Sequence, residues 1–229
     1  GEIIHPEIDG EKYPKGEARG KLREGELQVA CTALGIEPPI FLNHQDSGFP
    51  IEVGLNNPKA FMNQDVLAVE RELLVHIGTI KPEVIITFDP HGMYGHIDHV
   101  VIHRAAIQAF WSAGGVMQTP PQRLFFPMRS IAQVEHMKAN MDSTTIKTLE
   151  PKIYGVSSDS FAAMLDVSSY AEHKRKAMLA HRSQVGVAAN LEGMSKVWGD
   201  MFKQEGFVLG GLRGSFPKMP VTDLLAGLE

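Results

Sequence analysis

Apolar residues recur along the chain with two periods, and the alternation of those periods predicts its elements. From Glu17 to Leu34 the positions Leu22, Val29, Ala30 and Leu34 suit a helix that stops at Gly35. The short run Pro39-Ile40-Phe41-Leu42 predicts a buried strand, which empties into the polar stretch His44-Gln45-Asp46-Ser47-Gly48. Helical spacing returns from Asn63 to Ile80 through Val66, Val69, Leu73, Leu74 and Ile77. Val84-Ile85-Ile86-Thr87-Phe88 is β-branched and apolar on both faces, as a parallel strand covered on both sides requires. The next helix is expected to start at Asp98 as its N-cap and to end at Gly114-Gly115. Its apolar positions, from Val100 and Val101 to Phe110 and Trp111, lie nearly all round, which predicts a buried helix. Arg123-Leu124-Phe125-Phe126, Ala162 to Val167 and Phe207-Val208-Leu209 read as further strands, and Tyr170 to Gln184 as a basic amphipathic helix. Alternating strands and helices imply an α/β fold, a layered sandwich around a mostly parallel sheet. With no internal repeat and no low-complexity linker, the 229 residues read as one domain.

Composition narrows the function classes. Apolar residues make up 43% and charged residues 21%, which fits a globular domain rather than a disordered chain. A net charge of −5 leaves no phosphate-neutralising surface, so nucleic acid is disfavoured as a partner. The single cysteine, Cys31, sits in an apolar helical pattern and is expected to be a buried structural thiol. A lone thiol fits a reducing compartment, and no apolar run is long enough to span a bilayer; a cytoplasmic location is the expectation. Lys174, Arg175 and Lys176 read as a solvated face, and Trp111 and Trp198 as packing residues. A homo-oligomer is compatible with all of this.

Chemistry concentrates in Asp89-Pro90-His91-Gly92-Met93-Tyr94-Gly95-His96-Ile97-Asp98-His99, between the best strand and the buried helix. Open α/β sheets bind ligands at that edge, because loops and helix N-termini converge there. His96 and His99 are three apart with Asp98 between them, so one imidazole can bind a metal while the other faces substrate. A catalytic zinc needs three protein ligands and an open position, so this loop requires donors from elsewhere. His99 and His103 also stand at helical spacing, but Val100 occupies the place where a zinc protease carries its glutamate; His103 reads as a core histidine.

Pro82 to Pro90 followed by Gly95-His96-Ile97-Asp98-His99 resembles the second signature of the LmbE/PIG-L de-N-acetylases, with Ile97 in place of the usual proline. Three further segments match in order: Arg23-Glu24-Gly25-Glu26-Leu27, the loop Asp46-Ser47-Gly48, and His181-Arg182-Ser183-Gln184. The resemblance implies a Rossmann-like three-layer sandwich and zinc-dependent hydrolysis of an N-acetyl group from an amino-sugar conjugate. It implies that His99 is a metal ligand and that His96 protonates or stabilises the tetrahedral intermediate. Asp98 would hold His96 in its working tautomer, while Arg23 and Asp46 would bind substrate. Arg23 pairing with Glu26 on its own helix is the structural alternative.

The family's first signature, Ala-His-Pro-Asp-Asp-Glu, does not occur, and Gly1-Glu2 resembles the Gly-Glu that follows its second strand. The expectation is therefore a deacetylase domain lacking an N-terminal strand–helix–strand segment, on the order of 30–60 residues, and weakly active or inactive alone. His5-Pro6-Glu7-Ile8-Asp9 imitates the missing motif but has Ile8 where a ligand aspartate belongs. A degenerate, non-catalytic sugar-binding or partner subunit, and a metallohydrolase acting on other bonds, are the rival readings. A dinucleotide-binding module is disfavoured, since no Gly-x-Gly-x-x-Gly follows a strand.

Overall fold

The computed structural model describes residues 16–48, 51–140, 144–184 and 203–228. The imitation motif at His5, the opening Gly1-Glu2 and Trp198 lie outside them.

Helix α1 (Glu17–Leu34) forms as its spacing predicts and ends at Gly35, whose φ of 71° is the left-handed cap that releases the chain. No strand follows. Ile40 is 58% exposed, and residues 36–44 run as a loop. Two consecutive prolines, Pro38 and Pro39, remove backbone donors there, and no neighbouring strand is available among the described residues to pair with the run. The loop closes through a bridge between Gln45 and Ala60. Helix α2 (Val66–Ile80) starts later than its pattern suggests, because Asp65 caps it by accepting a hydrogen bond from the Leu67 N–H.

Strand β1 (Val84–Ile86) leads through a short turn of helix, α3 (Gly92–Gly95), into the long α4 (Ile97–Val116). The cap of α4 is His96, not Asp98: the Asp98 N–H donates to His96 Nδ1 at 3.2 Å. Helix α4 buries Val101, His103, Ala105, Ala106, Ala109, Phe110 and Ala113, while Trp111 is 52% exposed, so burial is confined to one face. Alanines at 105, 109 and 113, fully buried, let α4 lie close to its neighbours. One side packs on α2 around Val69 and Ile77, and Phe110 meets Leu124 and Phe126 of the sheet.

Strand β2 (Arg123–Ser130) is followed by α5 (Ile131–Asn140), α6 (Thr144–Thr148), α7 (Pro151–Tyr154), β3 (Gly155–Val156), β4 (Ala163–Asp166), α8 (Ala171–Ala180) and β5 (Gln204–Leu212). The sheet runs β1-β2-β5-β4, with β3 beside the far end of β2. Strand β2 pairs in parallel with β1 and β3, whereas β5 is antiparallel to both β2 and β4. The protein is thus α/β, but its described sheet is mixed rather than mostly parallel. The reason is β5: it returns between β2 and β4 against their direction, an arrangement that strand composition does not encode. The predicted helix through Gln184 stops at Ala180, and Lys174 is not solvated but bonded to Glu205 of β5 at 2.6 Å.

Candidate active site

Strands β1 and β2 are parallel, so their carboxyl ends share one edge of the sheet, and the loop from Phe88 to His96 sits there. Asp89 organises that loop. Its buried carboxylate accepts hydrogen bonds from the His91 N–H at 2.8 Å and the Met93 N–H at 2.9 Å. The chain then turns through three positive φ angles, 64° at Gly92, 67° at Met93 and 91° at Gly95. At Met93 this conformation is strained, since a side chain crowds its own backbone there. Gly92 is required for a second reason: a Cβ on it would lie 3.0 Å from both the Cβ of His99 and a methyl of Val100.

The two signature imidazoles are held differently. His96 Nδ1 accepts the Asp98 N–H, so in the neutral ring the proton resides on Nε2, a hydrogen-bond donor. His99 Nδ1 lies 3.1 Å from the Gly92 carbonyl oxygen, which can only accept, so Nδ1 carries the proton and Nε2 keeps its lone pair. The rings are 5.0 Å apart, with His99 stacked on Phe88 at 3.8 Å. Burial holds the His99 pKa below the usual histidine value, against a smaller upward pull from its bond to Gly92.

Among the described residues the hydrogen bond between Asp98 and the His96 ring runs from the Asp98 backbone N–H rather than from its carboxylate. The carboxylate instead takes the Ser47 N–H at 2.9 Å and the Ser47 hydroxyl, while Ser47 Oγ accepts the Met62 N–H at 2.8 Å. Ser47 is 1% exposed and pins the Asp46 loop to the start of α4. Asp46 folds over its own turn, accepting the Gly48 N–H at 2.7 Å. As a result Asp46, His96 and Asp98 each place a ligand atom within 4.8 Å of the others. Two carboxylates and an imidazole suit a divalent cation, and a carboxylate retains lone pairs after accepting two hydrogen bonds. Tyr94 lies over the cluster, its ring 5.3 Å from that of His99 and 6.1 Å from that of His96. Burial first, then the charges of Asp46 and Asp98, push its phenol pKa up, so it remains a proton-bearing group.

Arg23 belongs to a second constellation. Its Nε donates to Ser183 Oγ at 3.2 Å, and Ser183 donates from N and Oγ to the two carboxylate oxygens of Glu26, each at 2.7 Å. The helix motif around Arg23 and the late His181–Gln184 segment, far apart in sequence, thus form one buried clasp with Ser183 between Arg23 and Glu26. His103 is a core histidine, 7% exposed, bonded to the Phe88 carbonyl. Sequence reasoning passed over three residues: Ser47, already inside a noted loop; Tyr94, inside the signature loop; and Arg129, a charge at the end of a buried strand.

A profile of the family described as PIG-L, GlcNAc-PI de-N-acetylase, matches residues 5–110. A relative from Thermomonospora curvata is 32% identical over 206 residues, covering 82% of this chain and 68% of its own. The chain belongs to the PIG-L family of de-N-acetylases. Further PIG-L relatives from Thermobifida fusca and Saccharomonospora viridis are each 32% identical, over 85% and 100% of this chain and 73% and 85% of their own. All three carry the name 1D-myo-inositol 2-acetamido-2-deoxy-alpha-D-glucopyranoside deacetylase. The non-catalytic alternative finds no support among these PIG-L relatives.

Proposed function

We propose that this chain hydrolyses the acetamide of an N-acetylglucosamine-type conjugate with a divalent metal, zinc being the ion that best suits its donors. The observation that carries the reading is the opposed hydrogen bonding of two imidazoles at the start of α4, one Nδ1 facing a backbone N–H and the other a carbonyl oxygen. Amide hydrolysis needs an electron-pair donor to fix a Lewis acid and a proton donor for the oxyanion and the leaving amine. His99 Nε2 offers the first and His96 Nε2–H the second. Zinc, when bound, would supply polarisation of the acetamide carbonyl and acidification of a water molecule. Asp98 is a positioning residue: its N–H sets the His96 tautomer, and its carboxylate brings Asp46 into the site through Ser47. Asp46 is assigned to the metal or to sugar hydroxyls, and Arg23 to the sugar as a polar partner. A Rossmann-like three-layer arrangement belongs to the same proposal, supported by the parallel β1–α4–β2 crossover. So does a reducing, cytoplasmic setting, supported by the lone buried thiol of Cys31.

The test is metal content and acetate release with the inositol glycoside for which the relatives are named. One metal per chain is expected, with both metal and acetate release lost in His99→Ala. His96→Ala should keep the metal and lose about 10²–10⁴-fold in kcat, the range for a general acid. Metal lost from His96→Ala but retained by His99→Ala would move the ion to the Asp46–His96–Asp98 cluster. Neither metal nor acetate release from the full-length protein would end the deacetylase reading.

A further inference from the structure

His103 stands one helical turn beyond His99 on α4, so the two residues share a face of that helix. It is 7% exposed, and its ring rests against that of Phe126 on β2, centroids 4.9 Å apart. Its Nδ1 lies 2.6 Å from the carbonyl oxygen of Phe88, 15 residues earlier. A carbonyl oxygen can only accept, so Nδ1 of His103 bears a proton and donates it. Phe88 is the residue at which the chain leaves the sheet. Thr87 before it still donates its N–H to the Phe125 carbonyl of β2 at 3.1 Å, and Asp89 after it already organises the loop. The bond from α4 therefore fixes the direction in which the strand ends.

The side chain of Phe88 carries that constraint onward. Its ring lies flat on the His99 imidazole, with centroids 3.8 Å apart and planes 7° from parallel. The Gly92 carbonyl, 3.1 Å from His99 Nδ1, holds the same imidazole at one point of its edge. A single hydrogen bond leaves a ring free to tilt about it, whereas a flat neighbour against the face removes that freedom. Edge and face together set where Nε2 and its lone pair point. Such control matters for a metal ligand, which must be held within about 0.5 Å and 10–20° of the productive geometry. Leucine in place of His103 would fill similar volume but leave the Phe88 carbonyl without the donor that faces it, and the peptide would turn to find another.

We infer that His103 is a positioning residue for His99. It fixes the Phe88 carbonyl, and the Phe88 ring in turn holds the His99 imidazole in the orientation and tautomer that keep Nε2 open as an electron-pair donor. This rests on the proposal that His99 binds the metal, and it adds to the site two residues, His103 and Phe88, that act only through another side chain.

The experiment pairs zinc affinity of the full-length protein, by competition with a chromophoric chelator, with ring-nitrogen NMR of His99 in the metal-free form. The unmodified protein is expected to show the Nδ1–H tautomer. His103→Leu and Phe88→Leu should each weaken zinc binding by about 10–100-fold, the range for groups that orient a metal-bound histidine, and give mixed tautomer signals. The double variant should lose no more than either single one, because the two residues form one relay. His103→Asn sets an amide N–H near the place of Nδ1 and should recover most of the affinity. A purely structural role would lower the urea midpoint and leave both readouts unchanged; that result, or losses that multiply in the double variant, would overturn the inference. Should His103→Leu fail to fold, the inference requires Phe88→Leu to weaken zinc and mix the tautomers, and His103→Asn to preserve both; any other result overturns it. Mixed His99 tautomers in His103→Leu, with no acetate released by the unmodified protein, would uphold it and sink the deacetylase reading. Acetate release with both readouts indifferent to His103 would do the reverse.

Discussion

Ser47 shows how a residue without reactive chemistry can govern a site. It donates twice to Asp98 and accepts from Met62, so the Asp46 loop, the start of α4 and the segment before α2 meet at one hydroxyl. Replacing it by alanine leaves the Met62 N–H and one Asp98 oxygen without this partner in a nearly closed setting. Ser47→Ala should cost about 1–3 kcal/mol of stability and lower kcat more than it raises KM, measured by urea denaturation and steady-state kinetics. His99 adds a pH dependence. Its pKa is depressed in the fold, so between that value and the ordinary histidine pKa of 6.5 the unfolded chain binds the proton that the folded one excludes. The contribution is complete above about pH 6.5 and is lost as the pH falls through the folded pKa. The metal-free protein should lose stability on acidification through that window, and His99→Gln should flatten this part of the profile. An unchanged profile in the variant would refute the assignment.

At the scale of elements, Glu26 ties α1 to the segment that follows α8. Its carboxylate receives the Ser183 N–H and hydroxyl inside a clasp where Glu26 is 8% and Ser183 0% exposed. Truncation to alanine strands two buried donors, so Glu26→Ala should lower the urea midpoint by an amount equivalent to about 2–4 kcal/mol with the slope unchanged. The same clasp explains why Arg23 was ambiguous in the sequence. Helical spacing offers Glu26 as its partner, but Ser183 comes between them once the chain folds. Spacing also located α1, α2, α4 and most strands, because a helix or strand that buries one face must repeat its apolar positions. It failed at Pro39–Leu42, where a strand-like composition had no neighbouring strand to complete its hydrogen bonds among the described residues.

For the whole molecule, Arg123 does what the hydrophobic core cannot. Fully buried at the start of β2, it donates to the carbonyls of Leu224 and Ala226, both at 2.6 Å, and lies over the Phe216 ring. The segment after β5 is thereby fastened to the strand that occupies the middle of the sheet. Arg123→Ala should lower Tm by roughly 5–10 °C, from about 2–4 kcal/mol lost in a chain of this size. Protease cleavage near residue 224 should then precede global unfolding; simultaneous cleavage throughout would show that the fastening is not local. No helix among the described residues is long and apolar enough to cross a membrane.

The sequence alone determined helices α1, α2 and α4 and the carboxyl-edge loop with its histidines and aspartates, because periodicity and residue type are local properties. His96, Asp98 and His99 stood out by residue type and spacing, whereas Asp46 and Arg23 were singled out only through the resemblance to the family. Only the tertiary structure decided what each of them does for the others. The proton positions on the two imidazoles depend on whether a backbone donor or acceptor lies opposite Nδ1. The Asp98 carboxylate turned to a serine 51 residues away, and Arg129 at the end of β2 came to line two cavities at once. Such relations are set by which groups the folded chain brings within hydrogen-bond reach, and that distance is not written along the sequence.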